Sequence, residues 1–310
     1  MNPSIVVALP PPPFDASRFG ESSLPFARAI ADRNNARILL ISVIVFLPEF
    51  NAKTRGLLNP SPEVQARVVA EAEQYLLGVA ASFPSREVEV SVRIGDPTTE
   101  ILTSCEEQDA GMLVVTSHSR SGVSKFFLGS VALELVKNSE CPVLVVRANV
   151  DRDVSEAAIS IRRILVPLDQ SSEAEQALTT NLRSLGTESL QLHLLHVIPS
   201  LVYSDVARDE EAEVERSKAS EYLYQLAQQM TARGFSTTTE VAEGEPAIQI
   251  TRVAGEQGVD LISMTTHSRS GVKRLLIGSV AESVLRRAPV PLLLCHPALN
   301  GSISEVEGQA

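Results

Sequence analysis

The sequence predicts an α/β protein made of two tandem, doubly wound domains, each an open, mostly parallel sheet with helices on both faces. Three observations carry this. The chain has 310 residues, about two domains at roughly 150 residues each. It is written twice: TSHSRSG at 116–122 returns as TTHSRSG at 265–271, an offset of 149, and eleven of the seventeen positions of 116–132 are identical in 265–281. Within each copy, short apolar runs alternate strictly with amphipathic stretches, the pattern of strand–helix–strand units.

Taken in order, repeat two reads most cleanly. Residues 164–168 are an apolar run that ends at Asp169, as a strand buried on both faces does. Ser171 and Ser172 can cap a helix over 173–185, which stops near Gly186. A second buried strand follows at 190–198. A long helix covers 206–233 and ends at Gly234, with Val214, Leu223, Leu226 and Met230 assigned to its apolar stripe. Strand three lies at 236–242, and Pro246 starts a helix that runs to 256. A fourth strand at 261–265, a helix at 279–287 and a last strand at 291–295 complete the copy. Repeat one follows with strands at 4–9, 37–45, 87–93, 112–116 and 143–147, and helices at 23–34, 62–82, 97–108 and 130–138. Its first strand is offset by 159 rather than 149, so repeat one carries about ten extra loop residues. The domains are expected at 1–148 and 160–297, joined by a polar seam near 148–161 and followed by a loose tail over 298–310.

Composition narrows the function. Hydrophobic residues make up 44% and charged residues 21%, as in ordinary globular chains. No apolar run reaches the roughly 20 residues of a membrane-spanning helix, and the opening MNPSIVVALPPPP lacks a basic n-region. Twenty-seven basic residues stand against 38 acidic, a net charge of −11, with no basic run longer than a pair. Nucleic-acid and membrane partners are therefore not expected. The three cysteines, Cys105, Cys141 and Cys295, form no C-x-x-C pair, so the expected location is a reducing cytoplasm.

In an open parallel sheet, ligands bind beyond the carboxyl ends of the strands where the winding reverses. Asp169 closes the first strand of repeat two, the segment Thr265–Gly271 leaves the fourth, and Gly278-Ser279 opens the next helix. A helix N-terminus offers unpaired N–H groups that suit a phosphate, and His267, Arg269, Lys273 and Arg274 add donors. If strands one and four are neighbours, one crevice holds a carboxylate and a phosphate-friendly helix end, which together suit a nucleotide. Structural readings stand beside this one. Ser279 with Glu282 spells a capping box, Asp169-Gln-Ser-Ser spells a helix-start turn, and His267 is compatible with an ordinary surface role. His193 and His196, three apart on a strand, point to opposite faces and cannot share a metal. No Walker A, G-x-G-x-x-G or nucleophile-elbow motif is present.

These residues resemble the universal stress protein family, here as a tandem two-domain member. The resemblance rests on His118 to Gly122, Gly129-Ser130 and CPVLVV at 141–146. It rests equally on His267 to Gly271, Gly278-Ser279 and 289–294, the strand ends at Asp169 and Val197, and the turns at Gly95 and Gly244. It implies a flavodoxin-like, Rossmann-like sheet of order 3-2-1-4-5, which sets strands one and four side by side. It also implies ATP or AMP as ligand in those members that bind nucleotide, with Mg accompanying ATP. The family's pattern carries onto Asp169, Val197, Thr265, Ser268, Gly278 and Ser279, with Pro167, His267, Arg269 and Val280 beside them. Thr265 and Ser268 stand where the family's loop has glycines, though the nine-residue spacing from Ser268 to Gly278 survives. In repeat one the equivalents are Val43, Thr116, Ser119, Gly129 and Ser130, but Pro10 replaces the acid and removes an acceptor. Weaker binding is expected there.

The resemblance thus implies a stress-response regulator that binds ATP or AMP mainly in its second domain, with at most slow hydrolysis and no catalytic residue named. The alternative is a nucleotide-free scaffold. Partners implied are the nucleotide and pairing of the two domains through their last strands, 143–147 beside 291–295, with a homodimer as a further option.

Overall fold

Apolar runs, capping side chains and glycine or proline stops set the elements in both copies. The computed structural model describes residues 3–12, 20–47, 57–58, 60–83, 86–117, 129–147, 159–186, 189–199, 207–266 and 277–296. Repeat one runs β1 (Ser4–Ala8), α1 (Leu24–Asn34), β2 (Arg37–Ile44), β3 (Phe46–Leu47), β4 (Leu57–Leu58), α2 (Pro62–Ala80), β5 (Val88–Ile94), α3 (Pro97–Glu107), β6 (Ala110–Ser117), α4 (Ser130–Asn138) and β7 (Val143–Arg147). Repeat two runs β8 (Arg163–Leu168), α5 (Ser172–Leu185), β9 (Gln191–Ile198), α6 (Ala207–Ala232), β10 (Ser236–Glu243), α7 (Pro246–Glu256), β11 (Leu261–Thr265), α8 (Ser279–Arg287) and β12 (Leu292–Cys295). The short β3 and β4 form a separate two-stranded pair that the sequence pattern does not announce.

The duplicated turns show how local chemistry places a helix. Asp96 accepts the Thr99 N–H at 2.9 Å ahead of Pro97. Glu245 accepts the Ala247 and Ile248 N–H groups at 3.2 and 2.7 Å ahead of Pro246. Each carboxylate takes up N–H groups that a helix start leaves without partners, and proline at the first position gives up none.

All ten long strands join one sheet in the order β10-β9-β8-β11-β12-β7-β6-β1-β2-β5. Within each repeat the order is 3-2-1-4-5, and every pairing inside a repeat is parallel. The two halves meet at an antiparallel seam, where Leu292, Leu293 and Leu294 face Val145, Leu144 and Val143. Leu144 and Leu293 are fully buried there, and each such side chain stabilises the fold by about 1.5–3 kcal/mol. Two apolar layers cover the faces. One joins α1, α2, α5 and α6 residues such as Ile30, Leu76, Leu182 and Leu223. The other joins α3, α4, α7 and α8 residues such as Ile101, Leu135, Ile250 and Val284.

Side chains also tie the repeats together. Asn34 donates to the Ser184 carbonyl at 2.7 Å and Arg33 to the Ile161 carbonyl at 2.6 Å. Arg147 donates to the Ala288 carbonyl at 3.1 Å. Gly186 closes α5 with a φ of +76°, and a Cβ there would lie 2.1 Å from Asn34 Oδ1. Only glycine suits both the turn and the contact.

One expectation is corrected, and another is located more closely. Val214 is half exposed, whereas Leu223, Leu226 and Met230 are buried. Nine residues are two and a half helical turns, so Val214 stands on the face opposite Leu223. The extra residues of repeat one lie chiefly after its first strand: residues 9–23 separate β1 from α1, while only 169–171 separate β8 from α5. The tail 298–310 and most of the seam lie outside the described residues.

Candidate functional site

The carboxyl ends of β8, β9 and β11 converge on a cleft of about 400 Å³. Its walls come from the neighbours that order 3-2-1-4-5 dictates: the switch point between strands one and four lies between β8 and β11. Pro167 and Asp169 line it from the first strand, Val197 from the second, Thr265 from the fourth, and Gly278, Ser279 and Val280 from the start of α8. The loop between β11 and α8 is pinned at both ends, because the Gly278 N–H donates to the Thr266 carbonyl at 2.8 Å and the Thr266 N–H to the Cys295 carbonyl at 3.1 Å. A Cβ on Gly278 would come within 3.1 Å of that Thr266 oxygen, so the helix start approaches the strand more closely than a larger residue allows. His267, Ser268 and Arg269 lie outside the described residues.

Asp169 does structural work in the cleft wall. Its Oδ1 accepts the Ser171 N–H at 3.2 Å and the Ser171 hydroxyl. Ser171 in turn caps α5 by accepting the Ala174 N–H at 3.2 Å. The helix-start turn is therefore real, and it fixes the carboxylate at the cleft. Burial, with the carboxylates of Glu175 and then Asp169, pushes the Tyr222 phenol well above its ordinary range. The capping box expected at Ser279 does not form. Gly278 occupies the capping position, no side chain caps α8 among the described residues, and Glu282 pairs with Arg286 at 2.7 Å. Ser279 is one position too far along to cap, and residues 278–281 at the start of α8 line the cleft.

Thr265 is buried, and its hydroxyl donates to the Cys295 carbonyl at 3.4 Å. The hydroxyl, at a position where the resemblance implies a glycine, is thus turned onto the neighbouring strand. Residues that sequence reasoning left out also line the cleft: Gln170, His196, Glu215, Met264 and Thr266 among them. His196 is buried, with Nδ1 2.8 Å from the Leu168 carbonyl and Nε2 3.3 Å from Gln170. The Nδ1 contact requires an N–H toward the carbonyl. Its signal was the strand register, which sets His196 directly beside Leu168.

The equivalent end of repeat one is built differently. A Cβ on Gly20 would lie 2.5 Å from Pro10 Cδ. Thr116 donates to the Gly20 carbonyl at 2.9 Å. Pro10 and Thr116 hold the positions of Asp169 and Thr265, so the chain at Gly20 packs across the line where repeat two has its cleft. Val43 is buried in β2, Gly129 precedes α4 and Ser130 begins it, while Ser119 lies outside the described residues. A second, shallower cavity of about 290 Å³ lies at the amino ends of β9 and β10, beside Arg162 and Gly234, at the other end of the sheet.

The universal stress protein family model matches the chain twice, over residues 12–147 and 160–296. The chain belongs to the universal stress protein family. A Staphylococcus haemolyticus relative named for the family is 31% identical over 140 residues, spanning 44% of this chain and 85% of that protein. A universal stress protein of Methanocaldococcus jannaschii is 28% identical over 137 residues, spanning 43% of this chain and 81% of its own. The crystal structure of a universal stress protein from Archaeoglobus fulgidus superposes over 96% of this chain and 99% of its own, with a TM-score of 0.68 at 21% identity. That likeness carries the whole two-repeat fold, whereas the two sequence relatives match about one repeat. No helix among the described residues is long and apolar enough to cross a membrane.

Proposed function

We propose that this universal stress protein binds one adenine nucleotide, ATP or AMP, in the cleft of repeat two, and that occupancy regulates its role in stress response. The observation that carries this reading is the meeting of Asp169, the end of β9 at Val197 and the start of α8, which no side chain caps among the described residues, around one cleft of about 400 Å³. A nucleoside donates hydroxyl or amino hydrogens, which a fixed carboxylate and main-chain carbonyls accept. A phosphate is an acceptor only, which backbone N–H groups at a helix start satisfy. The two ends of the cleft thus differ in the sense that the two ends of a nucleotide differ.

Among the described residues no three His, Cys, Asp or Glu side chains gather as metal ligands. Mg accompanying ATP is expected to be held chiefly by the phosphates and water. Repeat one is expected to contribute little, since Gly20 and Pro10 fill the corresponding end. Isothermal titration of the full chain with ATP and with AMP tests the reading. One site per chain is expected, weakened about tenfold or more in an Asp169→Asn variant, which keeps the turn's acceptor but removes the charge. No heat with either nucleotide overturns nucleotide binding in favour of a scaffold, and two equal sites overturn the assignment to repeat two.

A further inference from the structure

The two repeats tether the end of their first strand in the same way but with different side chains. Ser42 and His196 each stand two residues before the end of their strand, β2 ending at Ile44 and β9 at Ile198. Both are buried. In repeat one the Ser42 hydroxyl donates to the Leu9 carbonyl at 2.7 Å. In repeat two His196 Nδ1 meets the Leu168 carbonyl at 2.8 Å, and the alignment that sets Pro10 against Asp169 sets Leu9 against Leu168. A hydroxyl therefore suffices for the tether. The imidazole adds a second nitrogen, and its Nε2 lies 3.3 Å from the amide nitrogen of Gln170. Gln170 itself has a φ of +67°, in the left-handed region that glycine enters freely and other residues do not. Both side chains line the cleft. A glutamine held at such a backbone angle beside a cleft is retained against a local cost.

We propose that Gln170, anchored by His196, reads the base of the bound nucleotide and selects a 6-amino purine over a 6-oxo purine. This rests on the nucleotide reading above. With the phosphates at the start of α8, beyond β11, the strand order β9-β8-β11 carries the base toward β9. There Gln170, His196 and Val197 line the cleft together with Glu215 of α6. An amide nitrogen only donates and an amide oxygen only accepts. With the nitrogen turned to the His196 ring, the oxygen is the atom left to meet the base. The 6-amino group of adenine donates to it. The 6-oxo group of hypoxanthine or guanine sets a second acceptor against it and leaves both oxygens unpaired. A carboxylate also only accepts, so Glu215 favours the same donor. His196 is a positioning residue: it holds the amide, and the amide meets the base.

Isothermal titration of the full chain with AMP and IMP, and with ATP and ITP, tests this, because each pair differs only along the N1–C6 edge of the purine. The parent is expected to bind the adenine nucleotide about tenfold more tightly. Gln170→Gly is expected to bring the two affinities within about twofold, chiefly by weakening the adenine nucleotide. Its urea midpoint should stay level or rise, since glycine accepts the positive φ. His196→Ser installs the residue of repeat one, keeps the tether and releases the amide, so the preference should fall to about threefold or less. The double variant should match Gln170→Gly, because both changes act through one side chain. A merely structural His196 would lower both affinities alike and leave their ratio. The inference is overturned if the parent binds both bases equally, or if either single variant keeps the parent's ratio. No heat from any nucleotide is the distinct failure of nucleotide binding itself; heat with an unchanged ratio leaves that reading standing and removes this one. Gln170→Gly decides the matter alone should His196→Ser fail to fold.

Discussion

Asn181 sits fully buried between α5 and the sheet, and one of its polar atoms is a liability that can be measured. Its Nδ2 donates to Ser263 Oγ at 3.0 Å and, more weakly, to the Leu293 carbonyl at 3.4 Å. Its Oδ1 is buried and has no hydrogen-bond partner among the described residues. Aligning the ends of α1 and α5 places Ile30 opposite Asn181, and the repeat offset places Val114 opposite Ser263; both are buried in the same apolar layer. Repeat one therefore does with two hydrocarbons what repeat two does with an incompletely satisfied polar pair. Leaving Oδ1 unpaired costs about 1–3 kcal/mol, and the Asn–Ser bond returns about 1 kcal/mol. Asn181→Leu is close in shape and Ser263→Ala removes one atom, so neither overpacks the core. The double variant is expected to be more stable than the parent by about 1–2 kcal/mol. Ser263→Ala alone leaves Nδ2 with only its weaker contact and is expected to destabilise by about 1–2 kcal/mol. The two changes should therefore couple by roughly 0.5–3 kcal/mol in a double-mutant cycle. Urea unfolding at unchanged m measures all four proteins. A double variant less stable than the parent by more than about 1 kcal/mol would refute the reasoning, and would mean that a buried water satisfies Oδ1.

Two further outcomes follow from the geometry. Gly278→Ala puts a methyl group 3.1 Å from the Thr266 carbonyl oxygen, which must shift the start of α8 by a few tenths of an ångström. The expected result is a stability loss of about 1 kcal/mol together with weaker nucleotide affinity, read by unfolding and titration calorimetry; unchanged affinity would detach the helix start from binding. Tyr75 and Tyr222 are pushed up by burial and by facing carboxylates, Glu21 for the first and Glu175 then Asp169 for the second. The folded chain thus keeps protons that the unfolded chain releases near pH 10, so their contribution is complete below about pH 10 and is lost as pH rises beyond it, by up to about 1.4 kcal/mol per unit for each phenol. A Tyr75→Phe/Tyr222→Phe variant should flatten stability between about pH 9 and pH 11, and an identical slope in the parent and the variant would contradict this.

Much of the fold was legible because duplication supplied each element twice. The run ending at Asp169 and the Gly278-Ser279 pair were visible as strand end and helix start, and order 3-2-1-4-5 brought them to one crevice. What escaped the sequence was whatever depends on neighbours rather than on period. Val214 looked like part of a stripe because it is apolar, but its angle on the helix points it outward. The strand pattern placed His196 on one face but gave no register, and only its place beside Leu168 carries its ring to the cleft. The Ser279–Glu282 spacing matched a capping box, yet the helix begins one residue earlier than that motif requires, and Glu282 is taken by Arg286.

The asymmetry between the repeats follows from the segment after the first strand. In repeat two only residues 169–171 separate β8 from α5, too few to fold back over the sheet, so the strand end stays open and Asp169 is held by its own turn. In repeat one residues 9–23 separate β1 from α1, enough for the chain at Gly20 to return onto Pro10 and accept a hydrogen bond from Thr116. The backbone carbonyl there takes the donor that a ligand would otherwise meet, and the proline ring occupies the space beside it. Losing the acid and gaining the longer segment are thus two parts of one change. The antiparallel seam between β7 and β12 joins the two sheets through their last strands, on the far side of each switch point from its first strand, so one end could close without disturbing the other.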